Sequence, residues 1–257
     1  MYRVGNDVNT AESEPPHRYP LPMSTTTMSG FLVLDKPIGP SSMRAVAVVR
    51  RRGGGIKTGH GGTLDPRASG VLVLGLGKAT KLLEKVVATA KGYETEIDLS
   101  IRTATDDLEA EPELIEVSVP PTRNMVADAL AQFTGDIMQK PPVFSAIKVG
   151  GRRAYALARQ DKPVDLPPRP VRVDELTLLD YAWPIATISI ACGKGFYVRS
   201  LARDLGITLN TGGCCRNIRR TAVGPFTIDE AMHLDDVPEP LCETSLISID
   251  EALSRLE

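Results

Sequence analysis

The sequence predicts a mixed α/β fold, and three observations carry that expectation. Short apolar runs bounded by Gly and Pro occur in Gly30-Phe31-Leu32-Val33-Leu34-Asp35-Lys36-Pro37 and in Val71-Leu72-Val73-Leu74, the pattern of buried strands. Residues 91–100 and 186–192 alternate apolar with polar side chains, the pattern of half-buried strands. Between these lie segments with apolar residues at helical spacing. A chain of 257 residues can bury a large core, as one big domain or two closely packed ones.

In chain order, residues 1–29 are rich in Pro, Ser, Thr and Glu with few large apolar side chains, and a disordered extension is expected. The first strand, 30–37, stops at Pro37-Ile38-Gly39-Pro40. Ser41 or Ser42 then offers an N-cap to a helix through about Arg52, with Met43, Val46 and Val49 on one face. Arg50, Arg51 and Arg52 close it, where cations complement the helix dipole or could meet phosphate.

Around Gly59-His60-Gly61-Gly62-Thr63-Leu64-Asp65-Pro66 polar residues and glycines crowd together before the apolar run, so a tight, exposed loop feeds a buried strand. Pro66 restricts Asp65 to extended geometry, and four glycines within twelve residues let backbone approach a ligand. A reactive carboxylate suits such a loop. The alternative is a turn in which Asp65 only caps neighbouring N–H groups.

Residues 82–90 read as a short helix and 91–100 as a strand with Tyr93 near its start, a usual place for a core aromatic. A helix over 122–135 follows, with Val126, Leu130 and Phe133 on one face and Gly135 closing it. A Pro-stiffened segment through Phe144 and Lys148 leads into a basic helix carrying Arg152, Arg153 and Arg159, with Tyr155 beside them. Basic residues interleaved with aromatics can hold phosphates and stack on bases, or the aromatics can be core. Strands over 167–180 and 186–192 run into a turn at Gly193 and Gly195. Val198, Leu201, Ala202 and Leu205 then follow helical spacing. Arg199 falls in the first turn of that helix, where opposing the dipole costs about 0.3–1 kcal/mol and favours a specific anionic partner. An acidic helical tail with Ile247, Ile249, Ala252 and Leu253 ends the chain.

No run approaches the roughly 18 apolar residues of a membrane span, and the N-terminus lacks a signal-peptide layout, so a cytoplasmic location is expected. Cys192, Cys214, Cys215 and Cys242 form no C-x-x-C pair and have no histidine at ligand spacing; free thiols are expected, not a metal site or disulfide framework. The formal charge is −2. Residues 1–29 hold two basic and three acidic side chains and 229–257 hold one and nine, leaving 27 basic against 20 acidic between them, a net +7. A basic body suits a polyanionic ligand, although ordinary solvated charge reads the same.

Three separated stretches resemble the TruB family of tRNA pseudouridine synthases. Residues 59–82 match Gly-His-x-Gly-Thr-Leu-Asp-Pro-x-Ala-x-Gly-Val-Leu followed by Gly-x-Ala-Thr-Lys, departing at Gly61, where the family usually carries Thr. Residues 139–159 match Gln-x-Pro-Pro-x-[Phe/Tyr]-Ser-Ala-x-Lys and Gly-x-Arg-Ala-Tyr-x-x-Ala-Arg. Residues 192–206 match Cys-x-x-Gly-x-Tyr-[Ile/Val]-Arg-Ser-Leu-Ala-x-Asp-Leu-Gly. Shorter likenesses lie at Asp35-Lys36-Pro37, at Lys91-Gly92-Tyr93, at 102–107 and at 218–226, where Ile218 replaces the usual Leu.

The resemblance implies the pseudouridine synthase fold over residues 30–228: a long mixed, mostly antiparallel sheet with flanking helices and an RNA-gripping insertion near 140–168. Many bacterial relatives continue into a small C-terminal RNA-binding domain of the PUA type; the short acidic tail at 229–257 is expected to be too brief for a full one. The implied reaction turns uridine 55 of the tRNA T-loop into pseudouridine by base flipping and glycosidic bond cleavage and re-formation, with neither cofactor nor metal. Asp65 is then the catalytic aspartate, Arg199 its partner and Tyr93 the residue stacked on the base. His60 replaces the flipped base in the loop, and Lys81 and Ile218 shape the pocket. Lys148, Arg152, Arg153, Arg159, Lys194, Arg219 and Arg220 are expected to meet RNA phosphates. The partner is the tRNA T stem-loop, with no membrane, and the protein a monomer. The alternative is a non-catalytic tRNA-binding or folding protein on the same scaffold, whose mark would be a lost aspartate or arginine; both are present.

Overall fold

A computed structural model describes residues 28–145, 147–149, 151–154, 157, 160 and 165–257, and for residues 148, 149, 152 and 153 the backbone alone. Of the extension expected to be disordered, residues 1–27 lie outside the described residues, while Met28 is buried in the core.

Strand β1 (Gly30–Lys36) is buried along its whole length and is followed by helix α1 (Ser42–Arg52). Ser41 caps α1, its side chain accepting from Arg44 N–H, which satisfies one of the N–H groups a helix start leaves open. The inward face is Ala45, Val46 and Val49; Met43, expected on that face, is 63% exposed. Arg52 at the helix end donates to the carbonyls of Leu234, Asp235 and Val237, so it ties down the C-terminal segment.

Next come β2 (Thr58–His60), β3 (Ala68–Leu76), a 3-10 turn (Gly77–Leu82), α2 (Leu83–Ala88), β4 (Lys91–Asp98) and the small pair β5 (Ile101–Arg102) and β6 (Glu113–Leu114). Helix α3 (Arg123–Ala131) is capped by Thr122 and ends at Ala131, four residues before Gly135. Gly135, expected to close it, instead opens β7 (Gly135–Gln139) with φ +96, a conformation glycine adopts without strain. Lys148–Val149 (β8) and Arg152–Arg153 (β9) pair as a hairpin, so Arg152 and Arg153 sit on a strand and not on the expected basic helix.

The chain continues through β10 (Arg169–Ala182), β11 (Ile185–Cys192), α4 (Val198–Leu209), β12 (Cys214–Val223), β13 (Phe226–Thr227), β14 (Met232–His233) and α5 (Ile249–Arg255). The acidic end is thus a strand, loops and one short helix packed on the body, with β14 beside β1 and Ala252 buried.

Ten strands form one sheet in the order β14-β1-β3-β12-β4-β11-β10-β7, with β2 added on β3 and β13 on β12. Among the described strands, β1/β14 and β3/β12 pair in parallel and the other pairs of this sheet are antiparallel. The sheet is therefore mixed and mostly antiparallel, as expected. Successive residues of β1 face opposite sides: Leu32 and Leu34 pack with Val46, Val49, Leu72 and Leu74, while Phe31 and Val33 pack with Val71, Val73, Val86 and Phe226. Burial on both faces explains the unbroken apolar run. At the other end of the sheet only one face is dry, where Ile188, Ile190 and Ile97 meet Val126 and Leu130 of α3 and Leu201 and Leu205 of α4.

Strand β12 sits between the two halves, parallel to β3 and antiparallel to β4. Its register sets Ile218 beside Ala68 and Thr95, and Arg220 beside Gly70 and Tyr93. Register shifts between Cys215 and Asn217 and between Arg220 and Ala222 flank this short segment; such bulges re-aim side chains.

Candidate active site

The loop from β2 to β3 is held on several sides. Ser42, at the start of α1, accepts from Leu64 N–H and donates to Leu64 C=O, both at 2.8 Å. Gly39 N–H donates to the Pro66 carbonyl at 2.8 Å, and Ala68 N–H to that of Asp65 at 3.0 Å. From β12, Arg220 donates to the carbonyls of Gly62 at 3.1 Å and Thr63 at 3.4 Å.

Helix α4 supplies the cation opposite. Its start has no side-chain cap; the buried amide of Gln139 instead holds the residue before the helix, accepting from Tyr197 N–H at 2.9 Å and donating to the Tyr197 carbonyl at 3.1 Å. Arg199, one residue into the helix, donates through Nη2 to Asp65 Oδ2 and to the Phe144 carbonyl, and through Nη1 to the Thr105 carbonyl, each at 2.9 Å. Asp107 Oδ2 lies 3.6 Å from its Nε. These acceptors offset the dipole that a first-turn cation opposes. The Arg199 side chain is 6% exposed and that of Asp65 46%: a carboxylate open to the cleft is fixed from behind by a buried guanidinium.

Asp65, Tyr93, Lys91, Ser145, Lys194, Tyr197, Arg199, Ile218 and Arg220 line one cleft of about 380 Å3. Tyr93 is half-buried at the edge of the core. Burial pushes its phenol up, against the nearby Arg220 cation. Ser145 Oγ is enclosed and, among the described residues, has no hydrogen-bond partner, a group that a ligand could satisfy. Lys36 is fully buried beneath the site, its Nζ donating to the carbonyls of Pro37 and Pro40. Burial lowers it to about 8, with Asp65 opposing and Arg220 assisting.

The structure thus gathers Asp65, Tyr93, Arg199, Ile218, Lys194 and Arg220. It does not bring Lys81 to the cleft; Lys81 lies in the 3-10 turn and lines a separate surface hollow with Lys57 and Lys78. His60, at the end of β2, is half-buried and does not line the cleft. Its Nδ1 is enclosed without a partner among the described residues, and burial followed by Arg220 lowers its pKa. Arg219, expected on phosphate, makes a two-pronged ion pair with buried Asp35 at 2.9 and 3.3 Å. Arg220, also expected on phosphate, is 2% exposed and is part of the cleft floor. Of Lys148, Arg152 and Arg153 the backbone is described; Arg159 and Tyr155 lie outside the described residues.

Sequence reasoning missed Lys36, Ser42, Gln139, Ser145 and Asp107 as contributors. Lys36, Gln139 and Ser145 stand inside the quoted motifs, and the pairing of Asp107 with Arg199 needs the fold. All four cysteines are free thiols. Among the described residues no group of three or more His, Cys, Asp or Glu is placed to hold a metal ion, and no helix is long and apolar enough to cross a membrane.

Comparison with known proteins gives matches across nearly all of this framework. Residues 50–198 match the model of the TruB family pseudouridylate synthase N-terminal domain, and residues 199–255 that of the tRNA pseudouridylate synthase B C-terminal domain. The chain is 45% identical over 231 residues to the tRNA pseudouridine synthase B of Ruegeria pomeroyi, covering 90% of this chain and 75% of that one. It is also 45% identical over 231 residues to the protein of that name from Corynebacterium aurimucosum, covering 88% and 77%. Among solved structures it resembles a chain of a Cbf5-Nop10-Gar1 complex, with a TM-score of 0.70, 25% identity, and coverage of 95% of this chain and 68% of that one.

Proposed function

The chain belongs to the TruB family of pseudouridylate synthases, and from that membership and the geometry of Asp65 we propose how it acts. It is an isomerase that converts uridine in tRNA to pseudouridine. The N1–C1′ bond breaks and a C5–C1′ bond forms; the proton leaves C5 and N1 gains one, so composition is unchanged. Asp65 is the group that works on the ribose, either attacking C1′ or removing the 2′ proton. Both routes use an anionic oxygen, and the 2.9 Å pairing of Asp65 with buried Arg199 is the observation that supports this role best. A base inside a folded loop must be flipped out to reach Asp65, at a cost of a few kcal/mol. Tyr93 and Ile218 offer the flipped uracil an aromatic and an aliphatic face, and Lys194 a cation at the rim.

The target is the T-loop, uridine 55, read on the T stem-loop by a single copy of the chain. His60 fills the space the base leaves, and the basic segment around 148–159 and Lys81 meet the backbone. The test is to map pseudouridine in an unmodified tRNA transcript, in an isolated T stem-loop and in a transcript with cytidine at position 55. One pseudouridine at position 55 in the first two and none in the third is the expected result. Modification elsewhere, or no product from the stem-loop, would overturn the T-loop assignment.

A further inference from the structure

Arg219 and Arg220 are adjacent in the sequence and have opposite fates. Arg219 reaches out to Asp35. Arg220 turns inward and spans the catalytic loop: Nε donates to the Val71 carbonyl at 2.7 Å, Nη2 to that of Gly62 at 3.1 Å and Nη1 to that of Thr63 at 3.4 Å. These acceptors lie on both sides of Asp65, two before it and one after. Among the described residues no carboxylate pairs with Arg220 within 4.0 Å, unlike Arg199, Arg203, Arg216 and Arg219. A buried guanidinium without a counter-ion is costly unless its N–H groups are bonded, and here backbone carbonyls of the loop meet that need. The remaining polar edge borders the cleft.

We propose that Arg220 is a positioning residue of the reaction: its fork ties the two ends of the Asp65 loop together and sets them against Tyr93. The proposal rests on the roles given above to Asp65 and Tyr93. Strand register supports it, since Arg220 is the residue beside both Gly70, at the loop's exit, and Tyr93. So does the fit at Gly70, where an added Cβ would come within 2.1 Å of the Arg220 carbonyl: loop exit and arginine are packed backbone to backbone. Because guanidinium keeps its proton, Arg220 is, with Arg199, a permanent cation of the site. Burial is what chiefly lowers Lys36, His60 and Lys91, and the Arg220 field adds to it; at Tyr93, where burial with Cys192 and Asp65 raises the phenol, the same field opposes them. Lysine could supply the charge but not a planar fork reaching three carbonyls.

The experiment uses the full chain as wild type, Arg220→Lys and Arg220→Gln, with folding followed by circular dichroism, tRNA affinity by filter binding and turnover by pseudouridine formation. Displacement of a catalytic group by about 1 Å can cost about a hundredfold in rate. The expected result is therefore a folded Arg220→Lys with KM and tRNA affinity within about threefold of wild type and kcat lowered about a hundredfold. In a cycle with Tyr93→Phe the Arg220→Lys loss should shrink, because coupled residues are not additive. A folded variant with kcat within about threefold of wild type, a loss confined to KM, or failure of both variants to fold would overturn the assignment. An inactive wild type would count against the reading of the site itself, a separate outcome from an active Arg220→Lys.

Discussion

Arg199 shows how one side chain joins stability to chemistry. Its N–H groups are spent on Asp65 and two carbonyls, with Asp107 close by, and removing it would leave buried Asp107 without that partner. Arg199→Lys is expected to lower kcat about a hundred- to a thousandfold, the range seen when one aligned donor to a reacting group is lost. A stability loss of a few kcal/mol should accompany Arg199→Met, because breaking a buried pair costs about 3–5 kcal/mol; single-turnover rates and urea unfolding check the two. The special place of Arg199 was legible as a cation in the wrong turn of a helix. The fates of its basic neighbours were not. Arg203, Arg216 and Arg219 look like free positive charge in the sequence, yet Asp106, Asp98 and Asp35 neutralise them from strands and loops far away in the chain. Lys81 was placed by motif, and motif does not say which side of a turn a side chain leaves.

At the scale of elements, the apolar runs of β1 and β3 and the alternation of β11 were readable because burial alone dictates them. Strand β12 was not legible from pattern, for Cys214-Cys215-Arg216-Asn217-Ile218-Arg219-Arg220 has no clean period. Its two bulges put several side chains out of register, and they set Ile218 and Arg220 at the cleft. The basic stretch around 152, expected as a helix, forms instead a backbone hairpin across Gly151, which has φ +81. Two glycines test the same distinction between local strain and packing. Gly39 and Gly70 both have positive φ, +113 and +98, but an added Cβ meets nothing within 4 Å at Gly39 and the backbone of Arg220 at Gly70. Gly39→Ala is expected to cost about 1–2 kcal/mol, the local strain alone. Gly70→Ala should cost more than about 4 kcal/mol or prevent folding. Equal melting shifts for the two would show that the loop exit is less tightly packed than this structure has it.

For the whole molecule, one sheet carries two core halves, and the cleft that holds Asp65 lies where β12 joins them. The acidic C-terminal residues are part of that body: Arg52 and Arg51 reach Glu239, and Arg255 reaches Glu230. Stability against pH is a property of the same whole. Burial raises Asp106 to about 6 from 3.8 despite Arg203 and Arg199 nearby. Folding then takes up a proton between these values, so this contribution is fully present below about 3.8 and is lost as pH rises through about 6. Asn tolerates the φ of +60 at this position. Asp106→Asn should therefore gain up to about 2 kcal/mol over wild type at pH 7.5 and much less at pH 4.5, in urea unfolding. An equal difference at both pH values would contradict the burial argument.

The central claim is that Asp65, held by Arg199, does the chemistry on a uridine of tRNA. The measurement that meets it most directly is release of tritium from carbon 5 of uridine in an unmodified tRNA transcript, by wild type and Asp65→Asn side by side, with tRNA binding measured on the same samples. Release by wild type alone, with near-equal binding by both proteins, is the result this account predicts. Release by Asp65→Asn, or tight binding without release by either, would contradict it.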